Sequence, residues 1–378
     1  MEEKILKNWK RAVIKIGSSL IAPGGKSISA KHTLPIAKFI TECRAKGKEI
    51  ILVSSGAVAA GLSTQPQMQK RNSRTIPEKQ ALAAIGQPLL MQSWSRFFDF
   101  PCSQLLLTHE DINDRKRFVN AKNTLHILLE LGTLPIINEN DTVAVEELKV
   151  GDNDNLAAYI AMLAEADLLI ICSDVDGLYD ADPNKNKNAK LIPFVKKIDQ
   201  SIFSFALGSN NPIATGGMKT KIEAAHKAAV RGINTIIINS TKNEVLDDLL
   251  KDKVTGTIFL KSNNPMTSKK HWIFHALKPK GKIFIDIGAS KAIIQKGASL
   301  LPSGINKSEG NFKKGDAVEI VVLSDHEETT IAKGIVKYNS EELKLISGRK
   351  SSEIASLLGY TISDEIINRD DLVLIQEL

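Results

Sequence analysis

Two short polar blocks hold the side chains of this chain best suited to phosphate chemistry. Residues 151–155 read Gly-Asp-Asn-Asp-Asn, and residues 215–221 read Thr-Gly-Gly-Met-Lys-Thr-Lys. Each block opens a stretch with a helical pattern, and a helix start offers unpaired N–H groups and partial positive charge to an anion. The second block adds glycines and lysines, and the first adds acids that can hold a lysine or a metal. With Lys15, the two blocks indicate a site that moves a phosphoryl group.

Lys15 is a charged residue inside an apolar strand pattern, next to Gly17-Ser18-Ser19. Burying a lysine is costly unless its ammonium finds a partner. Two interpretations stay open at this point: a functional ammonium, or a lysine at a strand end that extends to solvent. The segment 174–179 is similarly open, either as a plain acidic turn or as a contact for the ribose and base of a nucleotide.

The elements that must position these residues follow a regular alternation over the first ~260 residues. Apolar and β-branched runs predict strands at 12–16, 50–53, 105–108, 134–137, 168–171 and 235–238. Helical patterns lie between them at 34–46, 77–98, 118–131, 156–164 and 218–230. This alternation predicts an α/β protein, an αβα sandwich with a largely parallel central sheet. Ligands bind at the carboxyl ends of strands in such sheets, so polar residues that follow strands are candidate site residues.

The pattern changes near residue 260. We expect a domain over 1–262, a polar linker over 263–280, a small β-rich domain over 281–360 and a tail over 361–378. Alternating stretches at 282–287, 317–322 and 331–338 predict strands in the small domain, and 341–358 predicts a helix or two.

Composition favours an ordinary cytoplasmic protein. Hydrophobic residues make up 43% and charged residues 25% of the 378 residues, the apolar runs are only strand-length, and no signal peptide is evident. The three cysteines lie far apart, so neither a disulfide framework nor a zinc site is expected. Residues 271–378 hold 14 Lys+Arg against 15 Asp+Glu, a net charge of −1, so within the overall +7 the rest of the chain carries +8. A basic domain suits nucleic acid or a small anion such as ATP.

Three further patterns fail as ligand sites. Residues 22–27 contain Gly-Lys-Ser, but a P-loop requires glycine where Leu20 stands. Residues 152–157 and 180–185 begin like calcium loops and then place Leu, Ala or Lys where ligands or the turn glycine belong. No metal-ligand set is predicted.

Six motifs in a fixed order resemble the branch of the amino acid kinase family that phosphorylates glutamate. They are Lys15 with Gly17-Ser18-Ser19, Ser54-Ser55-Gly56-Ala57, Asn138-Glu139-Asn140-Asp141, the block 151–155, Ser173-Asp174 with the segment to Tyr179, and the block 215–221. Residues 282–358 resemble a PUA domain through the motifs at 299–305, 310–316 and 338–340. The resemblance covers nearly the whole chain.

The resemblance implies transfer of the γ-phosphoryl of ATP, with Mg²⁺, to the side-chain carboxylate of L-glutamate, the first step of proline biosynthesis. It implies catalytic roles for Lys15, Lys221 and Asp154, the aspartate orienting both lysines. It implies glutamate binding by Ser55, Asp141 and Asn153. The residues it implies for nucleotide binding are Lys15, Ser173, Asp174, Thr215, Gly216, Gly217, Met218, Lys219, Thr220 and Lys221. For Lys219 itself a side chain that points to solvent is the favoured alternative.

The resemblance also implies inhibition by proline, with the segment 111–149 as its place, and a homo-oligomer. Two alternatives remain: a kinase for aspartate or acetylglutamate, and an RNA-binding or RNA-modifying protein. The acid at position 141, which suits a free α-ammonium, and the PUA-like domain together disfavour the first. The net charge of −1 on residues 271–378 disfavours RNA binding, because contacts to phosphate supply most non-specific affinity. No membrane partner is expected.

Overall fold

The computed structural model describes residues 9–25, 27–71, 73–144, 153–183, 185–207, 217–262, 270, 273–274, 277–324 and 327–375. Several predicted features lie outside these residues: Lys26, Asn184, most of the linker, Gly151 and Asp152 of the first block, and Thr215 and Gly216 of the second. Contacts between residues divide the chain into two compact units, Met1–Pro265 and Met266–Leu378.

The first unit is built on one central sheet. Its described strands are β1 Arg11–Ile16, β2 Glu49–Ser54, β3 Cys102–Leu107, β4 Leu134–Glu139, β5 Leu168–Ser173, β6 Phe194–Val195, β7 Asn234–Asn239 and β8 Gly256–Phe259. Their order in the sheet is β3-β4-β2-β1-β5-β7-β8-β6, and only the β7–β8 pair among them is antiparallel.

Helices cover both faces of this sheet. They are α1 Ser18–Ile21, α2 Ala30–Ala45, α3 Ala57–Ser63, α4 Pro66–Gln69, α5 Ile76–Ser95, α6 His109–Asn113, α7 Arg115–Glu130, α8 Asn153–Leu163, α9 Gln200–Leu207, α10 Met218–Val230 and α11 Asn243–Leu249. Successive strand residues enter different cores: Val13 packs into one cluster and Ile14 into the other. Because side chains alternate across a strand, two cores mean a sheet buried on both sides. The predicted αβα sandwich is confirmed.

Several boundaries differ from the predicted ones for physical reasons. Strand β3 begins at Cys102 rather than at 105 because it pairs with β4 from Leu134 onward. It lies at the edge of the sheet, where polar Ser103 and Gln104 are tolerated. Strand β8 was not predicted, since its four residues carry no long apolar run.

The second unit contains a five-stranded sheet with the order β10-β9-β11-β12-β13. These strands are β9 Gly281–Ile285, β10 Ile305–Gly310, β11 Ala317–Ser324, β12 Glu327–Ile335 and β13 Leu372–Leu374. Its α-helices, among the described residues, are α12 Ile287–Lys296, α13 Ser340–Ile346 and α14 Ile354–Leu358. Phe312 and Tyr338 are fully buried in its core.

Two expectations for this unit need correction. The strand predicted at 282–287 ends at Ile285, because Asp286 caps α12 by accepting a hydrogen bond from the Ala289 N–H at 2.7 Å. The segment 361–378 is not simply a tail, since β13 within it pairs with β12 from Gly334 to Ala332. Three strand residues are too few to produce a recognisable period in sequence. Across the described residues, the helices are all too short or too polar to span a membrane.

Candidate active site

A buried carboxylate between two buried ammonium groups is the centre of the candidate site. Lys15 lies near the end of β1, Asp154 in the first turn of α8 and Lys221 in the first turn of α10. Asp154 Oδ1 lies 2.5 Å from Lys15 Nζ, and Asp154 Oδ2 lies 3.1 Å from Lys221 Nζ. All three residues are 4% exposed or less. The partner that a lysine in a buried strand requires is therefore Asp154.

The electrostatics of this cluster favour a charged aspartate. Burial by itself raises the pKa of Asp154, but the adjacent Lys15 and Lys221 ammonium groups outweigh it and hold the pKa below its ordinary value. The Thr220 hydroxyl, 2.8 Å from Asp154 Oδ2, adds a neutral hydrogen bond. Burial also lowers the pKa of Lys221, while Asp154 opposes this shift. Two cations against one anion leave a formal charge of +1 to receive phosphate.

An open cavity of about 550 Å³ borders the cluster. Residues predicted to bind the nucleotide and residues predicted to bind glutamate both line this cavity. They are Lys15, Ser55, Asp141, Asn153, Ser173, Asp174 and Lys221. A Cβ on Gly17 would lie 3.6 Å from Lys15 Nζ, so the glycine keeps the approach to this ammonium open. Gly56 follows Ser55 with a φ of 107°, and a Cβ there would lie 2.5 Å from Ile21 Cγ2. Only glycine fits at this turn.

Side-chain amides organise one end of the cavity. Asn153 Nδ2 donates to Ser55 Oγ at 2.7 Å and to Asn138 Oδ1 at 3.0 Å. Asn138 Nδ2 in turn donates to Gln87 Oε1 at 2.9 Å. This network fixes the side chains of two predicted glutamate-binding residues, Ser55 and Asn153, relative to each other.

Asp141 lies at the same end of the cavity. Burial raises the pKa of Asp141 to about 6, and among the described residues no ion pair or hydrogen bond satisfies its carboxylate. A half-buried acid without a cation is unfavourable in the free protein. The position therefore suits a ligand that brings a positive charge.

Of the predicted nucleotide residues that the structure describes, Lys15, Ser173, Asp174 and Lys221 line the cavity, whereas 217–220 form the start of helix α10 just before Lys221. Ser173 is buried at the end of β5, and its Oγ lies 3.3 Å from Oδ1 of the exposed Asp174. Gly217 precedes α10 in an extended conformation, and a Cβ there would meet no atom within 4 Å. Met218 is half-buried, whereas the Lys219 side chain is 62% exposed and its ammonium lies 3.9 Å from Glu223. Lys219 thus points away from the Lys15–Asp154–Lys221 cluster.

The segment after Asp174 makes internal contacts. Asp176 accepts hydrogen bonds from Asn239 at 2.9 Å, Lys242 at 2.6 Å and Tyr179 at 3.2 Å. These contacts favour the interpretation of 176–179 as a structural turn.

Four residues outside the predicted site set also line the cavity or support it. Arg74, Lys79 and Asn138 line the cavity. Asn138 also accepts a hydrogen bond from Asn153 and donates one to Gln87. The capping box of Thr75 and Glu78 marks the start of α5 between Arg74 and Lys79, but it does not indicate that either residue lines a cavity. Nothing in the sequence pattern links Gln87 to Asn138, because that contact joins elements far apart in the chain.

Comparison with known proteins identifies the class. The profile of the amino acid kinase family matches residues 10–239, and the PUA domain profile matches residues 281–358. The chain belongs to the amino acid kinase family. A glutamate 5-kinase from Salinibacter ruber is 54% identical over 368 residues, which cover 97% of this chain and 98% of that protein. Another from Idiomarina loihiensis is 50% identical over 370 residues, covering 98% and 99%.

Among solved structures, a carbamate kinase from Giardia lamblia bound to AMP-PNP is 19% identical. The match covers 68% of this chain and 99% of that chain, with a TM-score of 0.47.

Proposed function

We propose that this chain transfers the γ-phosphoryl group of ATP to the side-chain carboxylate of L-glutamate, forming γ-glutamyl phosphate for proline biosynthesis. The observation that carries the proposal is the buried Lys15–Asp154–Lys221 cluster. It borders the same cavity as the carboxylate of Asp141, which has no ion pair with any residue that the structure describes. The first feature suits phosphate and the second suits the ammonium of an amino acid. Full-length relatives named glutamate 5-kinase support the choice of substrate.

The chemistry requires positioning and charge more than proton transfer. A glutamate side chain has a pKa of about 4.3, so at neutral pH it is already the nucleophile and needs no general base. Its oxygen attacks the γ-phosphorus, the bond from that phosphorus to the bridging oxygen breaks, and ADP leaves. Both partners are anions, so repulsion between them and charge on the transferring group must be offset.

Each described residue has a part in this proposal. Lys15 and Lys221 neutralise phosphate oxygens, and Asp154 holds both lysines in place while preventing their mutual repulsion from spreading them apart. Ser173, Asp174, Gly217, Met218 and Thr220, with Thr215 and Gly216 outside the described residues, bind the nucleotide. Lys219 is the member of the predicted nucleotide set whose exposure argues for a solvent position.

At the glutamate end, Asp141 pairs with the α-ammonium, and burial of this acid is then compensated by substrate. The Ser55 hydroxyl accepts from Asn153, so its own proton is available for a carboxylate of glutamate. Acetylglutamate lacks the α-ammonium, which makes it a poorer match for Asp141.

Mg²⁺ fits this site as an ion that arrives with the nucleotide. The described residues contain no group of three His, Cys, Asp or Glu side chains that could hold a metal. Mg²⁺ commonly relies on phosphate oxygens, water and one or two carboxylates, and Asp174 is an exposed carboxylate beside the cavity. The ion would neutralise charge on the β- and γ-phosphates.

Proline shares an α-nitrogen cation and an α-carboxylate with glutamate, and we include its inhibition in the proposal. A smaller cavity of about 280 Å³ is lined in part by residues 139–142 of the expected segment and shares Glu139 and Asp141 with the main cavity. Competition between proline and glutamate for Asp141 is the expected form of inhibition.

Two further parts of the proposal concern partners. Helix α7 and the residue after it expose Ile127 and Leu131 at 53% and 69%, which supports a homo-oligomer. The net charge of −1 over residues 271–378 argues against RNA binding by the small domain. Light scattering and salt-dependent retention on immobilised RNA test these points.

The experiment that tests the main proposal is an ADP-release and hydroxamate assay of the purified chain. L-Glutamate, D-glutamate, L-aspartate and N-acetyl-L-glutamate are compared, each with ATP and Mg²⁺. We expect the kcat/KM for hydroxamate formation to be at least about 100-fold higher with L-glutamate than with each of the other three compounds, because a site built to pair polar groups of one substrate discriminates strongly against others. Preference for aspartate or acetylglutamate would overturn the assignment.

A further inference from the structure

The cavity end that holds Ser55 is backed by a directional chain of side-chain hydrogen bonds that starts at Gln87. Gln87 Oε1 accepts from Asn138 Nδ2 at 2.9 Å, and Asn138 Oδ1 accepts from Asn153 Nδ2 at 3.0 Å. The same Asn153 Nδ2 donates its second proton to Ser55 Oγ at 2.7 Å. Gln87, Asn138 and Asn153 are 8%, 3% and 3% exposed, so water has little access to replace these bonds.

The direction of the chain decides what Ser55 can offer a substrate. An amide has an acceptor oxygen at one corner and a donor nitrogen at the other, so each bond fixes the next. With Gln87 as acceptor, Asn138 turns its oxygen toward Asn153, which then turns its nitrogen toward Ser55. The Ser55 oxygen receives that proton and its own hydroxyl proton is left for an anion. If the amides reversed, Asn153 would present an oxygen, and the Ser55 proton would be spent on it.

Helix α5, which carries Gln87, packs closely against α3 and the ends of two strands. The preceding residue, Gly86, lets α5 lie so close to α3 that a Cβ on it would come within 1.9 Å of the Ala57 carbonyl oxygen. Two turns further along α5, Trp94 Nε1 donates to Ser54 Oγ at 2.9 Å. The same helix thus contacts the ends of β4 and β2, the strands that lead to Asp141 and Ser55.

We infer that Gln87 is a positioning residue, which acts through Asn138 and Asn153 to make the Ser55 hydroxyl a hydrogen-bond donor to a carboxylate of the amino-acid substrate. This inference rests on the proposed function. It assigns no substrate contact to Gln87 itself.

The test compares two substitutions at one position. Gln87→Met keeps the length of the side chain and removes the acceptor, and Gln87→Glu keeps an acceptor oxygen toward Asn138. We expect Gln87→Met to raise the KM for glutamate by about tenfold or more, the loss expected when a hydrogen bond to a charged group is weakened. The KM for ATP should stay within about twofold, because the Lys15–Asp154–Lys221 cluster is untouched. Gln87→Glu should restore the KM for glutamate to within about threefold of the parent value.

Trp94→Phe is the matched control, since it removes a buried hydrogen bond from the same helix face without touching the amide chain. It should lower the melting temperature and leave the KM for glutamate within about twofold, as expected for a change outside the binding interactions. A second control is a double-mutant cycle with Asn138→Ser. If Gln87 acts through Asn138, adding Gln87→Met to that variant should raise the KM little further.

The outcomes separate this inference from the proposed function. No hydroxamate from glutamate with the parent chain would overturn the proposed function. An active parent with an unchanged KM in Gln87→Met would overturn the inference alone, as would a rise in Gln87→Glu equal to that in Gln87→Met. Equal KM effects for glutamate and ATP, or full additivity with Asn138→Ser, would indicate a merely structural role. If Gln87→Met does not fold, a raised KM in Gln87→Glu overturns the inference and an unchanged one supports it.

Discussion

Lys15 and Asp154, which belong to a strand and a helix far apart in sequence, form an ion pair of 2.5 Å in which both side chains are almost entirely buried. Lys221 approaches the other carboxylate oxygen. Removing one cation therefore leaves a neutral pair, whereas removing the anion leaves two buried cations. The predicted effects of substitution differ accordingly.

Lys221→Ala should lower kcat by at least about 100-fold, because it removes a cation that offsets charge developing on the phosphoryl group. Folding should be little changed, since Asp154 keeps Lys15 as its partner. Steady-state kinetics and thermal melting test both statements. Lys38→Ala, on an exposed part of α2, is the control for loss of a lysine. An undiminished kcat in Lys221→Ala would contradict the assigned role.

Asp154→Asn should instead destabilise the protein by about 3–5 kcal/mol, the cost of leaving buried charge unpaired. The double variant Asp154→Asn with Lys221→Met should regain part of that stability without regaining activity. Chemical denaturation at pH 7 measures both free energies of unfolding. Equal stability of the single variant and the parent would show that the cluster is not charged as described.

Acid should weaken the same cluster. The pKa of Asp154 is lower folded than unfolded, so its contribution to stability is complete above the unfolded value of 3.8 and is lost as pH falls below it. Denaturation curves between pH 6 and 3 should show a loss of stability below about pH 4 that is smaller in Asp154→Asn. Parallel curves for the two proteins would exclude this source of acid sensitivity.

Asp141 should make glutamate binding depend on pH near 6. Its pKa is raised to about 6, so at pH 5 only about a tenth of the free protein carries the anion that pairs with an ammonium. We expect the KM for glutamate to rise about tenfold from pH 7 to pH 5, with little change in the KM for ATP. Asp141→Asn should have a high KM for glutamate at both values.

The raised pKa of Asp141 also predicts that the ionised carboxylate, which favours glutamate binding, lowers the stability of the protein without substrate. A raised pKa means that ionisation of Asp141 reduces stability as pH rises from about 3.8 to 6. Asp141→Asn should therefore melt at a higher temperature than the parent at pH 7 without glutamate. A lower melting temperature would indicate that Asp141 has a stabilising partner in the free protein.

Truncation after Lys270 should leave a folded kinase, because every described residue of the candidate site lies in the first unit. Hydroxamate assays should give a kcat within a few-fold of the parent, while proline inhibition or Mg²⁺ dependence changes more. A soluble, folded truncate without activity would mean that the small domain completes the active site.

The parts of the fold that sequence predicted are those with strong local periods. Helix α10 begins and ends at Met218 and Val230, as its pattern predicts. The two edge strands of the second sheet were not predicted, because β10 is polar and mostly exposed and β13 has only three residues. Their strand conformation comes from pairing with neighbours, which a local pattern does not contain.

The residues of the candidate site also differ in whether the local sequence identifies them. Lys15 was recognisable because a charge in an apolar strand is unusual, and Asp154 because it opens a helix. Gln87 resembles any other polar residue of a long helix, and its importance arises only where α5 passes the ends of β2 and β4. Contacts of this kind depend on the assembled sheet.

The short strand β13 covers the outer edge of β12 in the second unit. Without it, the backbone groups of Ala332 to Gly334 that face Leu372 to Leu374 would be open to solvent, and an uncovered strand edge is a template for pairing with another chain. A protein shortened to residue 360 would thus expose the edge of β12 and would also lose Ile366, Ile367 and Leu372 from the core of the second unit. Loss of solubility in such a protein would reflect aggregation through the second unit, even where the first unit stays folded.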